Sequence, residues 1–266
     1  MKWRVGTSYS LSSPISLDEV KEAGLDGIEL VISRNETDLT YQEVKRAYSP
    51  TIQHAQALDL DVWSIHLPFG KDWDISTLVA RKRQQIIDYH VDWLKCVSEW
   101  KVKHAVLHPS YEPIAAEERS ERVRACKSSL NQLVEVAEDS GIHLCVENLP
   151  RTCLGNTGKE ITALTEENQH LRVCCDVNHL LFELPEQFIE EVGSTIQTVH
   201  ISDYDGEDEK HWLPGKGIIQ WKEVIHALAN SGYEGFFMFE VKKGENIPAE
   251  LAACWKRLIQ DYQAIE

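Results

Sequence analysis

Short runs of consecutive apolar residues alternate with longer amphipathic stretches along the whole chain. Trp3–Thr7, Asp26–Val31, Asp61–His66, His104–His108, Ile142–Glu147, Val173–Asp176, Thr198–His200 and Gly235–Glu240 read as strands. The stretches between them carry helical periodicity. They run roughly over Leu17–Ala23, Tyr41–Leu58, Ser76–Trp100, Ala115–Ser140, Glu160–Glu166, Glu186–Val192, Trp221–Asn230 and Ala249–Tyr262. Ser16 is placed to cap the first helix, and Gly24, Gly141 and Gly232 stop three others. Strands that are apolar on consecutive positions belong in a parallel sheet covered on both faces. Repeated strand–helix units with no linker or composition break predict a single (β/α)8 TIM barrel over residues 1–266. The length agrees, since such barrels run to about 250 residues. An open doubly wound sheet is the alternative, but no GxGxxG follows the first strand, so a dinucleotide reading lacks its signature.

Composition narrows the partners. Hydrophobic residues make up 42% and charged residues 26%, ordinary for a globular enzyme with a substantial core. A net charge of −16 with no basic stripe argues against nucleic acid as a partner. Seven cysteines, an odd number in no CxxC pattern, read as buried thiols in a reducing compartment. No signal-peptide core precedes the first strand, and no apolar run reaches the ~18 residues of a membrane span. The expectation is a cytoplasmic protein without membrane contact.

Candidate chemistry lies at the strand exits, where barrels of this kind place their active sites. The third to eighth predicted strands end in His66, His108, Glu147, Asp176, His200 and Glu240. Glu147, Asp176, His200 and Glu240 form a set of three oxygen donors and one imidazole, suited to Mn, Mg, Co or Zn. Their carboxylates carry formal charge −3, and without a cation they would repel one another. The bland alternative is a set of separate salt bridges to barrel lysines or arginines. A metal next to two such carboxylates suits removal and return of a weakly acidic proton beside a carbonyl.

Flanking residues carry weaker signals. Arg151 is a candidate for gripping a phosphate or carboxylate, with a rim salt bridge as the equal alternative. Pro214–Gly217 reads as a tight turn bringing backbone to the site. Lys242–Gly244 follows the last strand, where barrels often hold phosphate. Phe69, Trp73 and Trp212 are candidates to wall a substrate with their rings, Trp63 reads as core, and Glu29 as a structural hydrogen-bonding residue.

Seven motifs occur in order at or just after strand exits. They are Ser64-Ile-His66-Leu-Pro-Phe, Val106-Leu-His108-Pro, Val146-Glu147-Asn-Leu-Pro-Arg151, Cys175-Asp176-Val-Asn-His179, Val199-His200-Ile-Ser-Asp203, His211-Trp-Leu-Pro-Gly-Lys-Gly217 and Met238-Phe-Glu240. Over its whole length the chain resembles the xylose isomerase-like TIM barrel superfamily. Within it the likeness is to the sugar phosphate isomerase/epimerase family that includes the ketose 3-epimerases. The resemblance implies one divalent metal ion, commonly manganese, on Glu147, Asp176, His200 and Glu240. It implies that Glu147 and Glu240 are the catalytic proton-transfer pair on opposite faces of the substrate, and that His179 contacts substrate. His66 and His108 would line the substrate side of the pocket, and Arg151 and His211 complete the candidate substrate-binding set. It also implies a homodimer or homotetramer. One departure stands out: ketose 3-epimerases usually carry an arginine shortly after the seventh-strand histidine, and here those positions are Tyr204, Asp205 and Gly206.

The expected function is a divalent-metal-dependent isomerase or epimerase of a sugar or sugar phosphate, acting through an enediolate. The alternative is a metal-dependent lyase or dehydratase on a keto-inositol or dehydroshikimate-like substrate, because a fold does not determine a reaction. A third reading is an AP-endonuclease-like DNA repair enzyme with three zinc ions. Its ligand set has counterparts at His66, His108, Glu147, Asp176, His179, His200, His211 and Glu240, with Glu209 where that family has aspartate. The acidic net charge weighs against it.

Overall fold

A computed structural model describes residues 3–32, 40–242, 244 and 247–264. Its strands are β1 (Arg4–Tyr9), β2 (Gly27–Val31), β3 (Asp61–His66), β4 (His104–Leu107), β5 (His143–Glu147), β6 (Arg172–Asp176), β7 (Ile196–His200) and β8 (Phe236–Phe239). They alternate with α1 (Leu17–Glu22), α2 (Tyr41–Ala57), α3 (Ala80–Glu99), α4 (Arg119–Asp139), α5 (Gly158–Thr165), α6 (Pro185–Val192), α7 (Trp221–Asn230) and α8 (Pro248–Gln263). All strand pairs are parallel, in the order β7-β6-β5-β4-β3-β2-β1-β8. Just past β7, Ile201 bridges Phe239 at the end of β8, and the Ile201 and Glu240 amides donate across the seam at 2.8 and 3.0 Å. That closes the barrel.

Local chemistry explains the boundaries. Ser16 and Glu19 form a reciprocal capping box at α1, as do Thr40 and Glu43 at α2. Gly24 and Gly141 follow α1 and α4 with φ of 81° and 67°, a backbone region costly for residues with a Cβ. Helices α3 and α4 begin later than their periodicity predicts, because the preceding residues build loops on the site face. Buried Asp74 accepts from the Ser76 amide at 2.9 Å and from Arg122 Nη2 at 2.8 Å, joining the loop before α3 to the first turn of α4.

The strands present two different faces. Ile28, Leu30, Ile65, Leu144, Val146, Val173 and Phe237 join the main core under the helices. Inside the barrel, Val106, Cys145 and Cys174 form a separate small cluster. Trp63, read from the sequence as core, is only half-buried. Its indole donates to Thr198 Oγ1 at 3.3 Å, and its ring lies 4.0 Å from His104 and 5.0 Å from Phe236. Trp73, a candidate sugar wall, instead packs 4.4 Å from Tyr89 and is 9% exposed. Its place in the loop before α3 turns it toward that helix.

The loop after β7 is organised by Asp203. Its Oδ1 accepts from the amides of Tyr204 and Ile219 at 3.0 and 3.2 Å. Its Oδ2 accepts from the Gly215 amide at 2.7 Å and the Trp221 indole at 3.0 Å. Gly217 packs so tightly on this carboxylate that a Cβ would lie 2.0 Å from Tyr204 O and 2.3 Å from Asp203 Oδ1. The Pro214–Gly217 turn therefore braces the loop against Asp203, and glycine is needed at its end for that contact.

Two predictions follow from these buried groups. Asp203→Ala would strand four N–H donors, so the mutant is expected to lose at least about 3 kcal/mol in urea unfolding. A loss below about 1 kcal/mol would contradict the bracing role. Burial pushes His90 down to about 4, and burial together with the His143 and Lys103 charges does the same to His104. Below pH about 6.5 the unfolded chain binds protons that these buried imidazoles refuse, so stability should fall from there toward pH 4. Each contributes on the order of 3 kcal/mol to that fall at most. His90→Leu should flatten the stability curve across this window, and an unchanged slope would remove His90 from the account.

Candidate active site

Four side chains converge where β5, β6, β7 and β8 end. One ligand atom from each of Glu147, Asp176, His200 and Glu240 lies within 4.8 Å of the others. Glu147, Asp176 and His200 are the last residues of their strands, and Glu240 stands one residue past β8. His108 likewise follows β4 by one residue. Asn148 fixes the β5 and β6 ends together: its amide donates to Asp176 O at 2.9 Å, and its Oδ1 accepts from the Asp176 amide at 2.8 Å. Asp176 Oδ1 then accepts from the Asn178 amide at 2.7 Å.

The remaining oxygens have no such use. Asp176 Oδ2 and Glu240 Oε2 are buried without a hydrogen-bond partner among the described residues. His200 Nδ1 lies 3.3 Å from Glu147 Oε1, 3.3 Å from Glu240 Oε2 and 3.7 Å from Asp176 Oδ2. Among the described residues, no lysine or arginine pairs with these three carboxylates; their ion-pair partners are all imidazoles. The separate-salt-bridge alternative therefore has no support here. Orphaned hard oxygens and one imidazole facing a common space form a donor set that fits a divalent cation.

Glu147 is the hub. Its Oε2 is 3.0 Å from His66 Nε2 and 3.1 Å from His108 Nε2, and its Oε1 is 3.4 Å from His179 Nδ1. Burial alone would raise this carboxyl, but the His108 and His200 charges hold it well below the usual carboxylate range. Glu240 behaves oppositely. Burial pushes its carboxyl up to about 7, reinforced by Asp176 and Glu147 against the pull of His200 and His211. The two glutamates assigned alike from the sequence thus sit in unlike surroundings.

Beneath them lies a residue that periodicity marked only as structural. Glu29 on β2 is fully buried, with Oε1 2.8 Å from His200 Nε2, while its Oε2 accepts from Ser64 Oγ at 2.6 Å. A carboxylate within an apolar strand run was the available signal, but nothing in the sequence names its partner.

The outer wall comes from loops. His179 bridges inward to Asp176 Oδ2 at 3.4 Å and outward to Glu209 Oε2 at 3.1 Å, with Nδ1 3.0 Å from Asn148 O. Burial opposes its protonation, yet Asp176 and Glu209 raise it to about 10. Arg151, with φ of 52°, is gripped by three carboxylates: Glu112 at 2.7 Å, Asp208, and Glu209 at 3.1 Å. Its guanidinium is therefore already engaged on the rim. His211 does not touch the Asp203 side chain. Its Nδ1 lies 3.1 Å from Glu240 O, and its amide donates to Asn178 Oδ1 at 3.2 Å. Tyr204, where an arginine was expected, turns inward and donates to Leu180 O at 2.7 Å.

These residues enclose a cavity of about 190 Å³. It is lined by His66, Phe69, His108, Glu147, Arg151, His179, Glu209, His211 and Glu240, among others. All five expected substrate-contacting residues border it. Phe69 lies 4.8 Å from His66 and 4.6 Å from His108, as a sugar-walling ring would. Glu240 and His211 separate this space from a second cavity of about 250 Å³, bordered by Ser8, Ser10, Ser13 and Lys242. Lys243 lies outside the described residues.

Known proteins share this architecture. A crystal structure of a D-tagatose 3-epimerase-like protein matches with a TM-score of 0.85 at 24% identity, covering 98% of both chains, a likeness of fold. The D-psicose 3-epimerase of Enterocloster bolteae is 24% identical over 185 residues, 66% of this chain and 56% of its own length. Inosose dehydratase 2 of Bacillus cereus is 26% identical over 278 residues, 92% of this chain and 88% of its own. The family model described as xylose isomerase-like TIM barrel matches residues 17–258, nearly the full span of the eight-stranded barrel. The chain belongs to the xylose isomerase-like TIM barrel family.

Proposed function

We propose that this chain is a divalent-metal-dependent isomerase or epimerase of a sugar, acting by proton transfer through an enediolate. One observation carries the reading: the convergence of Glu147, Asp176, His200 and Glu240, two of whose buried oxygens have no protein partner among the described residues. Epimerases among the relatives add support. A divalent ion held there, Mn2+ in first place and Mg2+, Co2+ or Zn2+ as alternatives, would supply Lewis-acid polarisation of the substrate carbonyl.

The chain's own residues divide the remaining work. Glu240 is assigned proton removal and return on one face of the substrate. Glu147 approaches from another strand and is assigned the second face of the substrate. His66, His108, His179 and His211 are assigned to substrate hydroxyls, with Phe69 against the sugar's apolar face. Arg151 is the one arginine or lysine among the described residues lining the main cavity, and three carboxylates already hold it. That balance favours an unphosphorylated sugar, because a phosphate there would meet several carboxylates and no uncommitted cation. A phosphorylated substrate would have to reach Lys242 in the neighbouring cavity.

A second reading, dehydration of a keto-inositol, is favoured by the inosose dehydratase that matches nearly the whole chain. It would start from the same proton abstraction and end in loss of water, so product mass separates the two. Two further donor groups, His66–His108–Glu147 and His179–Glu209–His211, also lie within ligand reach. More than one bound metal per chain with incision of abasic-site DNA would favour the nuclease reading. The acidic pocket argues against a polyanion. We further propose that residues 1–266 act as one domain, in the cytoplasm, as a homodimer or homotetramer. Seven free, buried cysteines suit a reducing compartment, and among the described residues no helix is long and apolar enough to cross a membrane.

Two outcomes are expected. With Mn2+ in deuterated water, a panel of ketoses and ketose phosphates should show deuterium entering beside the carbonyl, fastest for an unphosphorylated sugar. Glu240→Gln should slow that entry by roughly 10²–10⁴-fold. No entry with any substrate would sink the mechanism. Separately, chelator-treated protein should regain about 2.7 kcal/mol of stability in thermal melts when a divalent ion is supplied at 100 times its Kd. Asp176→Asn should abolish most of that gain.

A further inference from the structure

Glu29 has no place in the four-donor cluster, yet it lies fully buried inside the barrel directly behind it. A carboxylate there is expensive unless polar partners surround it, and an apolar side chain would fill the space without that cost. Its neighbours are few and specific. Ser64 Oγ donates to Oε2 at 2.6 Å, and Oε1 lies 2.8 Å from His200 Nε2. Neither Glu29 Oε1 nor His200 Nε2 has a hydrogen-bond partner of good angle among the described residues, and their 2.8 Å approach is the ion-pair contact between them.

The strand registers are built around this contact. Between β2 and β3 the pairing runs Ile28 with Val62, then Glu29 with Ser64, so Trp63 is bulged out of the ladder. Between β6 and β7 it runs Val173 with Ile196, then Cys174 with Thr198, so Gln197 is bulged in the same way. An inserted residue reverses which side chains face inward beyond it. The two irregularities therefore set the inward phase of Ser64 on one strand and His200 on the other, the two groups that touch Glu29.

An imidazole can present only one nitrogen as a lone pair while the other carries a proton, and the second nitrogen's partner decides which. An ionised carboxylate accepts and cannot donate. With Glu29 at Nε2, the proton is held on that nitrogen, and Nδ1 faces Glu147, Asp176 and Glu240 as the donor. We propose that Glu29, itself oriented by Ser64, is a positioning residue for His200, and that divalent-ion affinity depends on this carboxylate although it never touches the ion. The proposal rests on the metal site put forward above.

The test is ion binding, not turnover. Chelator-stripped protein titrated calorimetrically with Mn2+ should bind 10–100-fold more weakly in Glu29→Gln, a change of one atom in nearly the same volume. Ser64→Ala should weaken binding by a smaller factor, and it replaces the first variant if Glu29→Gln does not fold. In zinc-loaded wild type, long-range nitrogen–proton NMR should show His200 protonated at Nε2, with a slowly exchanging, downfield proton. In Glu29→Gln that proton should move upfield and exchange faster. A folded Glu29→Gln variant with unchanged Mn2+ affinity and an unchanged His200 proton would overturn the proposal. So would a lowered melting temperature of the metal-free protein with ion affinity intact, which marks a packing role. Glu29-dependent ion binding in a protein inert toward every sugar tested would support this inference and overturn the substrate reading alone.

Discussion

Three carboxylates within reach of one point in a buried barrel mouth repel one another, and the architecture around them answers that repulsion. Glu147 is wrapped by the imidazoles of His66, His108, His179 and His200. Asp176 has one oxygen committed to backbone and the other left open. Glu240, partly exposed, has His200 at 3.3 Å and His211 at 3.9 Å as its imidazole partners, fewer than Glu147 has. Imidazoles suit this task because they lack the reach and mobility of lysine.

The loops extend the same logic outward. Glu209 ties His179 to Arg151, and Arg151 ties the loops after β4, β5 and β7 through Glu112, Asp208 and Glu209. An arginine four residues beyond Glu147 looks like an anion grip when read alone. With three carboxylates around it, it becomes a clasp that shapes the cavity wall and leaves the mouth acidic. The −16 net charge of the chain and the local charge of its pocket thus agree in sign.

Asp203 plays a comparable part in backbone rather than charge. Its four N–H donors converge from the loop after β7 and the start of α7, and Gly217 closes against it. That brace sets the path of the segment that carries Glu209 and His211 to the cavity edge. Precision at the mouth is therefore held by a carboxylate that faces away from it.

The sequence by itself determined the barrel and the inventory of its mouth. Apolar runs and helical stripes are local properties, so eight strand–helix units were legible, with boundary errors at strand ends such as β1 and β7 and at the starts of α3 and α4, where the preceding loop residues take over the first turn. His66, His108, Glu147, Asp176, His200 and Glu240 were legible because a barrel gathers strand ends at one face. Which atoms meet there was decided only by tertiary structure. The contact of Glu29 with His200 depends on two skipped residues in the strand ladders, and a pairing register is invisible in either strand alone. The same holds for the clasp on Arg151 and the inward turn of Tyr204. Periodicity shows which face a residue takes, whereas its partner across a closed barrel is set by how eight strands are staggered against one another.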